Sequence, residues 1–151
     1  MKTENLDLIS IARGSGATHV IEVSADDLTE KTANTSQAVE IFKSDKPVLV
    51  EVVASISNGL KDTDDPAFNS TALTIGVSGA ASALLASQEI NANASGKVLT
   101  KAGAGKAAYE ANKGIIATFA SMSGKKLADL DAGKVVILLK VVSLPEYAEL
   151  D

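Results

Sequence analysis

Carboxylates set close together can hold a cation or move a proton, and one stretch offers them: Asp62, Asp64 and Asp65 in "KDTDDPAFNSTALTIG", residues 61–76. Carboxylate oxygens are hard ligands that suit calcium. A loop of EF-hand type beginning at Asp62 needs glycine where Ala67 stands and glutamate where Leu73 stands, so that loop is not encoded. A calcium site of another kind needs only the aspartates, and Asp62, Asp64 and Asp65 are the weak metal candidates of this chain. As catalytic acids they would need a cleft that raises one pKa. A polar stretch with a proline reads more simply as a corner, in which Asp side chains bond their own turn backbone and Pro66 fixes one turn residue.

The remaining chemistry is thinner. In "KAGAGKAA" the pair Gly105-Lys106 matches the end of a phosphate loop, but Thr100 occupies the first glycine position and Ala107 the magnesium-binding hydroxyl position. Both the backbone nest and the metal hydroxyl are then missing. "GVSGA", Gly76 to Ala80, approaches a nucleophile elbow around Ser78 and ends in Ala where the elbow needs Gly. His19 is the single histidine, with no acid partner nearby in sequence, so it reads as a satisfied structural residue and cannot by itself build a His-based zinc site. No catalytic residue, cofactor or metal is assigned, and the chain is read as a non-enzyme.

Positioning elements follow from totals and from periodicity. At 151 residues one domain with one core is expected. Only Phe42, Phe68, Tyr109, Phe119 and Tyr147 are aromatic, and Trp is absent, so the core must be aliphatic. Such a light core gains from partner subunits. The net charge of -5 disfavours nucleic acid and anionic membranes as partners, and scarce aromatics remove stacking platforms. Without cysteine there are no disulfides or thiolate metal sites, as suits a reducing cytosol. The run Leu8 to Ala12 is shorter than a signal-peptide core, and Val135 to Leu139 is far short of the roughly 20 residues of a membrane helix. The expectation is a soluble product of the cytoplasm.

Period-two alternation dominates and predicts an all-β, antiparallel β-sandwich or jelly-roll-like fold. Val48, Val50, Val52, Ala54 and Ile56 alternate with Leu49, Glu51, Val53 and Ser55 as one long strand with one buried face. "ALTIGV" and "IIATFAS" repeat the pattern, and "THVIEVS" and "QAVEIF" add strands near Thr18 and Gln37. "KVVILLKVV", Lys134 to Val142, is apolar on both sides except at Lys140, so it belongs centrally, covered on both faces. Turn signals include Asn58-Gly59, Asp62 to Pro66, Gly79 and Ala132-Gly133. One or two short helices are expected: two turns in "AASALLASQ", Ala80 to Gln88, and one in "KKLADLDAG", closed by Gly133. Residues 91–114 read as a long loop with one weak strand at Lys97 to Thr100. The organisation is an extended N-terminal arm 1–17, a sandwich 18–143 and a tail 144–151.

The turn motifs together are similar to a pattern in tailed-bacteriophage virion proteins. A strand leads to Asp27-Leu28-Thr29, then to Thr32, Asn34, Thr35 and Gln37 before the next strand. The Asp-rich corner runs into Asn69-Ser70-Thr71 and Leu73-Thr74-Ile75-Gly76, and Leu127 to Gly133 introduces the last strand. Among such proteins the chain most resembles the head decoration, or capsid cement, class. The Lys- and Gly-rich region 97–114 departs from that class. The resemblance implies a structural protein of β-sandwich or jelly-roll form, commonly a trimer, bound to the major capsid protein on the outer surface of the virion. Shell stabilisation would come from many weak contacts combined through avidity. Leu6, Leu8, Ile9 and Ile11 of the arm could add a strand to a neighbour's sheet edge, and Tyr147 and Leu150 of the tail offer a second contact. A tail or neck component of the virion, or a calcium- or sugar-dependent binding module using the Asp corner, are the alternatives.

Overall fold

A computed structural model describes residues 2–5 and 16–144. Alternating sequence becomes strand in chain order: β1 (Lys2–Asn5), β2 (His19–Ser24), β3 (Gln37–Phe42), β4 (Val48–Lys61), β5 (Thr71–Val77), β6 (Ala80–Glu89), β7 (Thr100–Lys101), β8 (Lys106–Tyr109), β9 (Ile115–Ser121) and β10 (Ala132–Ser143). The large sheet runs β1-β2-β10-β4, with β7 and β8 sharing the far side of β4; the small sheet runs β3-β9-β5-β6. Every pairing is antiparallel. Ile21, Val50, Val52, Ile137 and Leu139 of the large sheet pack with Leu73, Ile75, Ala117 and Phe119 of the small one in a single buried cluster. The chain is thus a mainly β protein built as an antiparallel sandwich with an aliphatic core. No helix among the described residues is long and apolar enough to cross a membrane.

β10 lies between β2 and β4, the central place that its two-sided apolar pattern demands. A bulge modifies β4. Leu139 pairs with Val52 and Leu138 with Ala54, so Val53 is the extra residue and alternation reverses beyond it. As a result Ser55 and Ser57 are buried on the core side, and Ala54 and Ile56, expected to follow Val52 inward, are only half-buried. A second irregularity sits where Asn58-Gly59 reads as a turn. Those residues remain inside β4, with Gly59 at φ +70 and, opposite it, Gly133 at φ +82. A Cβ on Gly133 would lie 2.1 Å from the Gly59 carbonyl carbon, so two backbones meet there with no room for a side chain.

The expected helix at Ala80 to Gln88 is strand β6. Alanine favours helix, but propensity is a weak determinant, and burial of Leu84, Leu85 and Gln88 as β6 pairs with β5 through the Ser78-Gly79 hairpin overrides it. Bulges between Leu73 and Val77 break its period-two pattern, which hides it from a periodicity reading. "KKLADLDAG" forms a single 3-10 turn, Leu127–Asp129, ended by Leu130 and not by Gly133. In the stretch read as a loop, β7 falls at Thr100–Lys101 and β8 also pairs with β4. Between them Gly103 donates its N–H to Val52 O at 3.1 Å and Ala104 donates to Leu84 O at 2.8 Å, stitching β4 of one sheet to β6 of the other.

Candidate functional site

Strand β4 ends at Lys61 in the large sheet and β5 begins at Thr71 in the small one, so residues 62–70 carry the chain across the sandwich. Polar side chains hold this crossing by bonding its backbone. Asp62 Oδ1 accepts from Asp64 N at 2.9 Å, and Asp65 Oδ1 accepts from Ala67 N at 3.1 Å. Behind them Phe68 is fully buried, and its carbonyl accepts from Nδ2 of the equally buried Asn91 at 3.0 Å. The same Nδ2 donates to Thr71 Oγ1 at 3.2 Å, and Asn91 Oδ1 accepts from Asn93 N at 2.8 Å.

The expected trio of aspartates divides. Asp65 turns away to Lys125 Nζ at 2.6 Å, and this hydrogen-bonded cation lowers its pKa. Asp62 and Asp64 are joined by Asp131, and carboxylate oxygens of these three lie within 4.8 Å of one another. Asp131 arrives through sheet pairing: its N–H donates to Lys61 O at 3.0 Å just before β10 runs back along β4. Its Oδ1 accepts from Thr63 N at 2.9 Å and its Oδ2 from Thr63 Oγ1 at 2.6 Å, bonds that lower its pKa. Sequence reasoning missed Asp131 because it stands 68 positions from Thr63; the Asp-Ala-Gly after the Leu127 turn was its only local signal.

The arrangement is one of hard oxygens on an exposed corner, with Asp64 and Asp131 exposed and Asp62 buried. Such a set could accept a divalent cation through carboxylates and neighbouring carbonyls. The shift at Asp131 runs downward, away from the raised pKa that a general acid near neutral pH needs. His19 is placed elsewhere, on β2. Its Nδ1 lies 2.8 Å from Thr18 Oγ1, its ring stands edge-on to Phe42 at 5.2 Å, and burial lowers its pKa. Ser78 forms the β5–β6 turn and Lys106 opens β8, so neither resembled motif builds a nucleophile or phosphate site.

The turn motifs that carried the family resemblance act as fasteners. Gln37 Oε1 accepts from Thr29 N at 2.8 Å and Glu30 N at 3.0 Å, while its Nε2 donates to Asp27 O at 2.9 Å. Asn34, at φ 61, accepts at Oδ1 from Gly124 N at 2.6 Å. Ala128 N donates to Glu30 O at 3.0 Å, fixing the 3-10 turn to the same loop. Leu6, Leu8, Ile9, Ile11, Tyr147 and Leu150, the expected contact residues, lie outside the described residues.

On the face of the large sheet turned away from the core, Val20 and Leu138, each 5% exposed, form a second buried apolar cluster, with Ala17, Val53, Ala54 and Val136 half-buried against it. The β4 bulge contributes to it by turning Ala54 outward. Neither a family model, nor a curated protein, nor a solved structure matches the chain.

Proposed function

We propose that this chain is a non-enzymatic virion structural protein of the capsid decoration type, which binds the outside of a phage shell as a trimer and stabilises it by many contacts. The observation that supports it best is the antiparallel β-sandwich with its aliphatic core, the form that the resemblance implies. The polar loops are consistent with the same reading. Gln37, Asn34, Asp65 and Asn91 spend their hydrogen bonds on holding turns.

The test is co-sedimentation of the purified chain with phage capsids, together with its solution mass. Saturable binding of a stable trimer supports decoration; a monomer that stays in the supernatant contradicts it. The meeting of Asp62, Asp64 and Asp131 favours a second reading, a calcium-dependent binding module. A melting temperature that rises with calcium and falls with chelator would support that module, and chelator insensitivity would count against it.

A further inference from the structure

Between β8 and β9 the chain crosses from the large sheet to the small one. Tyr109 ends β8 and pairs with Val48 at the start of β4, and Ile115 opens β9. The link between them is held in place. Asn112, at φ 64, donates its N–H to Ser44 O at 2.7 Å, and Lys113 N donates to Glu110 O at 3.4 Å. Gly114 lies so close to β3 that a Cβ there would be 2.7 Å from Glu40 Oε2. Val77, the last residue of β5, faces this link from the small sheet. Together they form a cavity of about 320 Å³, lined by Val77, Ala108, Tyr109, Glu110 and Lys113.

Small ligands occupy pockets of about 300–1,000 Å³, so one compact molecule fits here. Tyr109 is half-buried against the core and Val77 is buried, which makes the inner wall apolar. Burial raises the Tyr109 pKa, so its hydroxyl keeps its proton at neutral pH. Glu110 and Lys113 are exposed at the rim. Among the described residues the Tyr109 hydroxyl, the Glu110 carboxylate and the Lys113 ammonium have no partner, whereas Gln37, Asp65 and Asn91 are bonded within the fold. Charge narrows the choice of ligand. One acid and one base balance, so the rim favours neither an anion nor a cation. A wholly apolar molecule would cover both charged groups without bonding them. A neutral molecule with one apolar face and several hydroxyls matches each group in turn. A pyranose ring has that form.

We propose that this cavity binds a neutral pyranose sugar, with an apolar face of the ring on Tyr109 and hydroxyls that donate to the Glu110 carboxylate and accept from the Lys113 ammonium. The ties at Asn112 and Gly114 fix the link before the sugar arrives, so little ordering is needed on binding. No calcium is required. A single carboxylate lines the cavity, and Asp62 and Asp64 follow the opposite end of β4 from Val48, the partner of Tyr109. Sugar binding here stands independently of capsid binding.

Tryptophan is absent and Tyr109 and Tyr147 are the two tyrosines, so Tyr147→Phe leaves Tyr109 as the sole tyrosine emitter of the full-length protein. Titration with the methyl glycosides of glucose, galactose, mannose and N-acetylglucosamine is expected to change that emission saturably for at least one of them, with a millimolar dissociation constant. The amide signals of Val77, Ala108, Glu110 and Lys113 should shift along the same curve. Glu110→Ala and Lys113→Ala alter exposed positions, and each should weaken binding about tenfold while signals elsewhere keep their places. Chelator should leave the curve unchanged. Responses that rise linearly with all four glycosides overturn the proposal. So does saturation that survives the double variant Glu110→Ala/Lys113→Ala, or saturation that chelator abolishes.

Discussion

Replacing Asn91 by leucine keeps the size of a fully buried side chain and removes the amide that ties the corner to the end of β6. Two groups then lose their donor, Phe68 O, bonded at 3.0 Å, and Thr71 Oγ1, bonded at 3.2 Å. Asn93 N, half-buried, can turn to water. At about 1–3 kcal/mol for each buried group left unsatisfied, the cost is about 3 kcal/mol. That is a large part of a typical total of about 5–15 kcal/mol. For a chain of this size it lowers Tm by about 6–12 °C. Asn91→Asp sharpens the test. A buried carboxylate cannot donate to Phe68 O, so its folded-state pKa is raised above the unfolded value of about 3.9. Relative to the parent, this variant is close to normal below that value, where the protonated carboxyl donates. It loses stability as pH rises through the raised pKa. Urea unfolding of parent and variants across pH measures both effects. A loss below about 0.5 kcal/mol for Asn91→Leu, or a deficit in Asn91→Asp that does not change with pH, would refute the role assigned to this amide.

Further outcomes follow from the same structure. Gly103→Ala puts a Cβ 2.2 Å from Val52 O, so the stitch between the sheets must open; a denaturant midpoint should register a loss of about 1–3 kcal/mol, against no more than about 0.5 kcal/mol for Gly105→Ala, which has open space. Phe68→Ala empties the core behind the corner at a cost of about 3–5 kcal/mol, read by the same midpoint. The Thr63 bonds lower the pKa of Asp131, so their contribution is present above the ordinary value of 3.8 and is lost as pH falls through the lower folded-state value. Tm measured from pH 3.8 downward should therefore fall less steeply in Asp131→Asn than in the parent.

Legibility in the sequence tracked how local each determinant is. Val48 to Val52 and Ile115 to Phe119 alternate in burial, Val135 to Leu139 is apolar throughout, and all are strands with the expected faces buried. Past Val53 the same reasoning misplaced Ser55 and Ala54, because one bulged residue reverses every later side chain and nothing in the local residue types announces it. β6 was hidden by helix-favouring alanines and by bulges opposite Gly76, where a Cβ would meet Ala80 O at 2.1 Å. The corner at Asp62 to Pro66 was legible as a corner. Its composition as a cluster was not, since Asp131 and Lys125 are brought there by strand pairing and loop ties across the sandwich.

The most direct test of the proposed role is electron cryo-microscopy of phage capsids prepared with and without this chain. The account predicts difference density for three copies of a β-sandwich at regular positions on the outer surface of the shell, with the unbound shell more easily ruptured by heat. Identical maps in the two preparations, or density confined to a tail or neck, would contradict it.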